Sequence, residues 1–443
     1  MSKNIVLAWS FVVALGGFLF GFDTAVISGA EKAVQLHWNL SEFQHGLTMA
    51  IALLGTVLGA ALGAFPSDKL GRKNTLFIVA LLYFFSALGT ALADQWTIFI
   101  LFRFLGGIGV GVSSVTAPIY ISEIAPAKSR GKLVGLFQFN VVLGILIAYL
   151  SNYLIGQTGQ DSWRWMLGVQ AGPACLFFIL IFFVPESPRW LLLRRNNRME
   201  AEGVMKKINA SNYKEEVEAI LLNQQNQLTS NSSSKLFSKE HRTPVLLAVL
   251  FAVFNQVSGI NAIIYYAPRI FEMAGLGAQS SLLSTLGIGL VNFTFTLLAL
   301  NFIDRVGRRR LMLIGSFGLI TSLSLVSVAF FSGQTDGWAI TVYLMIYIAF
   351  FAFSQGAVIW VFISEIFPNE IRAKGQTLGS LTHWVMAAII TFYFPAFAEF
   401  LGGGSTFLIF VGCMILQLLF VWKMMPETKG KSLEQMESSV LMH

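Results

Sequence analysis

Twelve stretches of about twenty apolar residues, hardly interrupted by charge, run through this chain. They are centred near Ala14, Ala52, Leu82, Gly109, Leu143, Leu176, Phe254, Asn292, Thr321, Phe350, Ala388 and Phe410. Each is long enough to cross the hydrocarbon core of a bilayer as a helix. Strands of a membrane barrel would alternate polar and apolar residues, which these runs do not, so helices are the spanning element they predict. Composition leaves little else: 55% of the 443 residues are hydrophobic and 12% are charged, about half the charge of a soluble domain. A disordered scaffold is excluded, and two cysteines, Cys175 and Cys413, do not make a disulfide-stapled secreted domain. The first run lacks a small-residue cleavage site and is expected to be a retained helix.

Charge predicts the topology. Of the 30 Lys and Arg, 26 fall at one set of alternating ends, including Lys69, Arg72, Lys73, Arg305 and Arg308. The opposite loops hold Lys32, Arg164 and Arg269, and Arg103 lies inside a span. The positive-inside rule then places both termini in the cytoplasm. The formal net charge of +7 is scattered over short loops, so it forms no contiguous basic face for nucleic acid. Charge and amides concentrate between Pro185 and Thr243, where Asn196 to Leu222 alternates as short amphipathic helices and Asn223 to Ser234 reads as flexible linker. The expected organisation is a six-helix half over residues 1–184, a cytoplasmic linker over 185–243, a second six-helix half over 244–425 and a cytoplasmic tail over 426–443.

The halves repeat. Asp68, Gly71 and Arg72 return as Asp304, Gly307 and Arg308; Glu123 with Arg130 returns as Glu365 with Arg372; Pro185-Glu186 has a looser echo in Pro426-Glu427. Three motifs in one order at near-constant spacing imply homologous halves. Because six is even, these are parallel repeats, the architecture of alternating access. The expected fold class is therefore an all-α membrane protein of twelve transmembrane helices in two parallel six-helix repeats. Asp68, Arg72, Glu123, Arg130, Asp304, Arg308, Glu365 and Arg372 are candidates for ion pairs that latch the cytoplasmic side; simple loop solubility with orientation bias is the alternative.

Within the spans, Asp23 and Arg103 are the only residues expected to be charged, and such residues are costly and usually functional. Asp23 lies roughly 10 Å below one end of its span and Arg103 roughly 9 Å below the same side, at 1.5 Å per residue. At equal depth they should pair. Arg103 would hold Asp23 ionised, and loosening of the contact would let Asp23 take up a proton. A permanent structural ion pair is the alternative. A second constellation consists of amides and flat aromatics: Gln138, Asn255, Gln256, Asn261 and Asn292 with Trp360, His383 and Trp384. Amides both donate and accept, as sugar hydroxyls require, and indoles cover apolar C–H faces. Interhelical hydrogen bonding is the alternative for any single amide. Gly259, between Asn255 and Asn261, could break its helix and turn both inward.

The chain resembles the sugar porter branch of the major facilitator superfamily over nearly its whole length. The stretches that carry the resemblance are GGFLFGFDTAVISG (16–29), DKLGRK (68–73), RFLGGIGVG (103–111), PIYISEIAPAKSRG (118–131), PESPRW (185–190), NQVSGINAIIYYAP (255–268), DRVGRR (304–309), SEIFPNEIR (364–372) and PETKGKSLE (426–434). They are closest in flavour to bacterial proton/xylose symporters. The resemblance implies monosaccharide transport through a site between the halves, with Asp23 and Arg103 at the coupling positions. It puts Gln138, Gln256, Asn261, Asn292 and Trp360 at the sugar, Trp384 beside it, and Tyr265 and Tyr266 at an external gate. Departures are Asn255 for Gln, His383 for Gln or Asn, Ala357 for a Pro, Gln170 for an acidic residue and Ile145 for an amide, so no one sugar is singled out.

The expected partners are a monosaccharide, a proton and the lipid bilayer, with a monomeric chain, no nucleic acid and no cofactor. No phosphate-loop or ATPase signature, metal-ligand spacing or nucleophile–base pair points to an enzyme. A sugar uniporter, a sodium-coupled or polyol carrier and a non-transporting sensor remain alternatives. Gly55, Gly59 and Gly63, with Gly107 and Gly111, read as ridges for close helix packing.

Overall fold

Long uncharged runs can satisfy their backbone in lipid only as helices, and helices are what form. The computed structural model describes residues 2–126, 129–159, 161–209, 211–229, 236–333, 337–368 and 371–429, with the side chains of 2, 3, 223–229 and 304 outside that description. Among the described residues there is no strand. The first half comprises α1 (Ser2–His37), α2 (Glu42–Leu62), α3 (Ala64–Leu70), α4 (Arg72–Leu92), α5 (Trp96–Ile124), α6 (Arg130–Ile155), α7 (Ser162–Gly168) and α8 (Ala171–Ile181). The linker holds α9 (Pro188–Leu193), α10 (Arg198–Ile208) and α11 (Tyr213–Thr229). The second half comprises α12 (Arg242–Val257), α13 (Ile260–Met273), α14 (Ala278–Val306), α15 (Arg308–Phe331), α16 (Gly337–Phe353), α17 (Gln355–Glu365) and α18 (Arg372–Lys423).

Eleven helical stretches among the described residues are long and apolar enough to span a membrane. The last, α18, has 52 residues, about 78 Å at 1.5 Å per residue, more than twice the hydrocarbon thickness. Gly402, at φ 74° and ψ 164°, divides it, so the chain is a twelve-span multi-pass membrane protein. Many side chains left exposed on the spans are themselves apolar, among them Phe85, Leu101, Phe317 and Leu416, as lipid-facing positions require.

Two spans break where the sequence places polar residues. Gly259 adopts φ 88°, a left-handed conformation that ends α12 and starts α13 in a new direction. The hydroxyl of Tyr347 donates to the Ser258 carbonyl at 2.9 Å, satisfying an acceptor freed at that break. Ser354, at φ −117° and ψ −88°, separates α16 from α17. The bend in this span thus forms although Ala357 stands where the family has Pro.

The chain divides into two compact units. The first holds Met1–Thr24, Gly55–Ala148 and Leu167–Ser233; the second holds Ala25–Leu54, Tyr149–Met166 and Ser234–His443. These units do not follow the boundary at residue 184, because the ends of α1, α2 and α6 opposite the motif loops pack with the second half. In the first unit the glycine ridges do what their spacing suggested. A Cβ on Gly55 would collide with the Phe104 carbonyl, one on Gly59 with the Ile108 carbonyl, and one on Gly111 with Thr56 and Ala60 backbone, so α2 and α5 touch backbone to backbone. In the second unit, Phe251 stacks on Phe362 at 5.1 Å within a core that includes Leu247, Leu311, Ile359 and Phe420.

The linker helix α10 starts at Asn197, whose side chain accepts from the Glu200 N–H, and buries Ala201, Val204, Met205 and Ile208. Met199, in the first turn of the same helix, is exposed. The expected linker from Asn223 begins later than its composition suggests: α11 continues to Thr229, since Gln and Leu are good helix formers. Residues 230–234 lie outside the described residues, as do 430–443 of the expected tail.

Candidate functional site

Asp23 on α1 and Arg103 on α5 meet inside the first unit. Arg103 Nη1 donates to Asp23 Oδ1 at 2.9 Å and Nη2 to the Asp23 carbonyl at 3.4 Å. Both side chains are 2% exposed. Nearby on α5, an added Cβ on Gly106 would strike Ser86 Oγ of α4 but meet Asp23 Oδ1 only in ordinary contact at 3.5 Å. Arg103 Nε has no hydrogen bond among the described residues. A buried pair of this kind holds two charges that neither partner could carry alone.

The amides gather in the second unit, on the broken helix α12–α13. Asn261 Nδ2 donates to Gln256 Oε1 at 2.6 Å, and Gln256 Nε2 donates to Asn255 Oδ1 at 3.0 Å. Gln256 Nε2 also lies 3.2 Å from each ring nitrogen of His383. The His383 ring sits between two indoles, 4.9 Å from Trp360 and 4.9 Å from Trp384, the latter edge-on. Asn255, Gln256, Asn261, His383 and Trp384 are buried, whereas Trp360 is 39% exposed. Asn292, half-buried on α14, takes the Thr296 hydroxyl at 3.5 Å. Gln138 belongs to the first unit, half-buried on α6. The turn at Gly259 thus brings Gln256 and Asn261 into contact, and the amides satisfy one another in a chain that sugar hydroxyls could replace bond for bond.

Tyr265 and Tyr266 are both buried. Tyr266 leaves helical geometry at φ −121° and ψ 18°, two residues before Pro268. Proline has no N–H, so Pro268 frees the carbonyl of Ile264, and Pro395 in α18 frees that of Thr391. Both freed acceptors are taken by tyrosines: Tyr149 donates to Ile264 at 2.9 Å and Tyr266 to Thr391 at 2.9 Å. Two prolines and two hydroxyls therefore tie α6, α13 and α18 together.

The repeated motifs build the same cluster twice, each within one unit. Gly71, at φ 97°, turns the chain from α3 into α4. The Glu186 carboxylate caps α4, accepting from the N–H groups of Arg72 at 3.0 Å and Lys73 at 3.2 Å. Arg72 grips both oxygens of Glu123 at 3.1 and 3.0 Å and reaches Asp68 at 3.0 Å, while Ser187 donates to Glu123 at 2.5 Å. In the second unit Gly307, at φ 100°, leads into α15, and Glu427 accepts from the N–H groups of Arg308 at 2.9 Å and Arg309 at 3.1 Å. Arg308 pairs with Glu365 at 2.8 Å, and Thr428 donates to Glu365 at 2.6 Å. Each motif glutamate is thus held by the arginine of the neighbouring motif. Arg130 lies exposed at the start of α6, and Arg372 donates to the Phe367 carbonyl at 3.2 Å. The Asp304 side chain lies outside the described residues. Burial pushes the Glu186 carboxyl above its ordinary value, against three backbone N–H groups and the Arg72 charge, which pull it down.

Asp23 and Arg103 are not the only ionisable residues in the spanning helices, contrary to the sequence expectation. α1 continues to His37 and carries Glu31, 1% exposed, about 12 Å along the helix from Asp23. His45 on α2 is fully buried with its Nε2 2.8 Å from Glu31. The uninterrupted apolar run of the first span gives out at Ala30, one residue before Glu31, so on apolarity alone Glu31 reads as loop. Its spacing of three or four from Ile27 and Ser28 on a continuous helix was the available signal. Among the described residues no group of three or more His, Cys, Asp or Glu is placed to hold a metal.

The profile of the family described as "Sugar (and other) transporter" matches residues 9–439. The D-xylose-proton symporter of Escherichia coli is 36% identical, over 99% of this chain and 96% of that protein. The arabinose-proton symporter of Bacillus subtilis is 37% identical, over 98% of this chain and 95% of that protein. Among solved structures, the inward open conformation of the xylose transporter XylE from E. coli superposes with a TM-score of 0.87 at 34% identity, covering 98% of this chain and 99% of that one.

Proposed function

The chain belongs to the sugar (and other) transporter family, and on that premise we propose that it carries a monosaccharide into the cell together with a proton by alternating access. The observation that carries the coupling is the Asp23–Arg103 pair, buried at 2.9 Å. In the ionised pair the proton site is occupied by the guanidinium. Movement of α1 against α5 weakens that contact, Asp23 then binds a proton from the side that is open, and closure restores the ion pair and expels the proton on the other side.

In the second unit the amide chain Asn255–Gln256–Asn261 with His383 and Asn292 supplies hydroxyl-binding groups, and in the first unit Gln138 does so. The Trp360 and Trp384 indoles supply faces for the apolar side of the ring. Tyr265 and Tyr266 serve as the external gate. The Glu123 and Glu365 clusters, each capped by Glu186 or Glu427, stabilise the cytoplasmic ends of the helices and serve as latches there. Both termini are cytoplasmic, from the excess of Lys and Arg on the motif side, and the chain acts as a monomer in the plasma membrane. Similar proteins named for xylose, arabinose and glucose support a pentose or hexose as the substrate. His383 and Asn255, the departures that line the amide chain, are the positions that tune the choice.

Reconstituted protein tests this directly. Counterflow with labelled pentoses, hexoses and inositols is expected for at least one aldose, weakened in Asn261→Ala through a raised KM, and net uptake of that sugar is expected to follow an imposed pH gradient but not a sodium gradient. Counterflow of no sugar would remove the substrate assignment, and uptake that follows sodium or ignores pH would remove the proton.

A further inference from the structure

Resting on the transporter reading above, we propose that Glu31, His45 and Arg269 form a proton-dependent lock of the outer gate, separate from the Asp23 coupling site. The three side chains come from α1, α2 and α13, all within the second unit. Glu31 Oε2 stands 2.8 Å from His45 Nε2 and 3.6 Å from Arg269 Nη1, with both the Glu31 and His45 side chains buried. Neither oxygen of Glu31 nor either nitrogen of His45 makes an aligned hydrogen bond among the described residues. A proton on the imidazole would make this 2.8 Å approach a contact of opposite charges. An imidazolium gains from it, whereas a neutral ring facing a buried carboxylate without an aligned donor gains nothing.

The surrounding charges agree. On α1, Lys32 pairs with Glu272 of α13, and Gln35 bridges Glu42 of α2 at 2.8 Å and Arg269 at 3.0 Å. From α13 the Tyr266 ring stands 6.0 Å from the imidazole, and Glu31, Arg269 and Glu42 all face the Tyr266 phenol. α18 brings Phe392 against Gly46, where an added Cβ would strike the Phe392 carbonyl, and Thr391, which takes the Tyr266 hydroxyl. Three carboxylates, Glu31, Glu42 and Glu272, thus face two permanent cations, Lys32 and Arg269. A proton on His45 balances the set. Parting the ends of α1 and α2 from α13 and α18 exposes the cluster to external water, where each charge is solvated and the imidazole needs no proton. Closing the outer gate then takes up one external proton at His45, and alkaline medium opens it.

Electron–electron resonance distances test the lock in the full chain in lipid nanodiscs. Spin labels go at Leu36 and Phe400, exposed on α1 and α18, with Cys175 and Cys413 replaced and Asp23→Asn removing the coupling carboxylate. In this parent the ratio of open to closed distances is expected to rise with pH between about 5 and 8, by up to tenfold per unit for one proton. His45→Gln should stay open and flat across that range. His45→Lys, a fixed cation, should stay closed and flat, which a merely structural role for His45 would not produce. A parent ratio that does not change with pH, or a His45→Gln protein that keeps the parent slope, would overturn the lock. Sugar counterflow by the wild type is measured in parallel. A pH-dependent gate without counterflow leaves the lock standing and fails the sugar assignment, and counterflow with a pH-independent gate does the reverse.

Discussion

At the scale of single residues, the account rests on buried charges and amides whose partners are named. Arg103→Met is expected to lower stability by about 3–5 kcal/mol, because Asp23 is left buried without its cation; thermal unfolding in detergent measures it. Adding Asp23→Asn should recover part of that loss, since the two residues act as a pair. Asn261→Ala should raise the KM for sugar by about five- to tenfold, the worth of one hydrogen bond, with a smaller change in maximal rate. An unchanged KM would place Asn261 in helix packing alone. The Asp23–Arg103 contact was legible in the sequence, because two charges at equal depth in apolar spans have no other partner. Glu31 and His45 were not legible, since a glutamate just past an apolar run is read as loop until the helix is seen to continue through it.

Elements bring their own tests. Tyr149→Phe removes the donor that satisfies the Ile264 carbonyl freed by Pro268 and should cost about 1–3 kcal/mol in unfolding stability. Pro268→Ala restores the helical N–H for that carbonyl, so the double variant should lose less than Tyr149→Phe alone; an equal or larger loss would refute the pairing of kink and hydroxyl. The Glu186 cap on α4 has a pH signature. Its carboxyl is raised in the folded protein, so its titration favours the fold fully below about pH 4.3, the unfolded value, and that contribution is lost as pH rises through the folded value. The melting temperature of wild type relative to Glu186→Gln should therefore fall from acid to neutral pH, and a difference that grows would contradict it. The helix break at Gly259 could be anticipated from a glycine between two amides. The one at Ser354 could not, because the proline expected there is absent and the bend depends on tertiary packing. The capping roles of Glu186 and Glu427 were likewise hidden, their partners lying more than one hundred residues away in sequence.

For the whole molecule, twelve spans were readable from the apolar runs and the doubled motifs from charge placement, because the bilayer permits so few backbone solutions. The doubling reaches further than the sequence echo suggested. Pro185-Glu186-Ser187 and Pro426-Glu427-Thr428 look only loosely alike, yet each supplies one carboxylate to a helix N-terminus and one hydroxyl to a motif glutamate. What the sequence did not reveal is where the compact units divide, since the ends of α1, α2 and α6 pack with the second half. The central claim, that Asp23 couples sugar movement to a proton, is tested most directly by sugar accumulation in proteoliposomes under an inside-alkaline pH gradient. Wild-type protein should concentrate the sugar above the external level and lose that excess when a protonophore is added, while Asp23→Asn brings the sugar only to equality. Wild-type uptake that stops at equality, or an Asp23→Asn protein that accumulates as the wild type does, would contradict it.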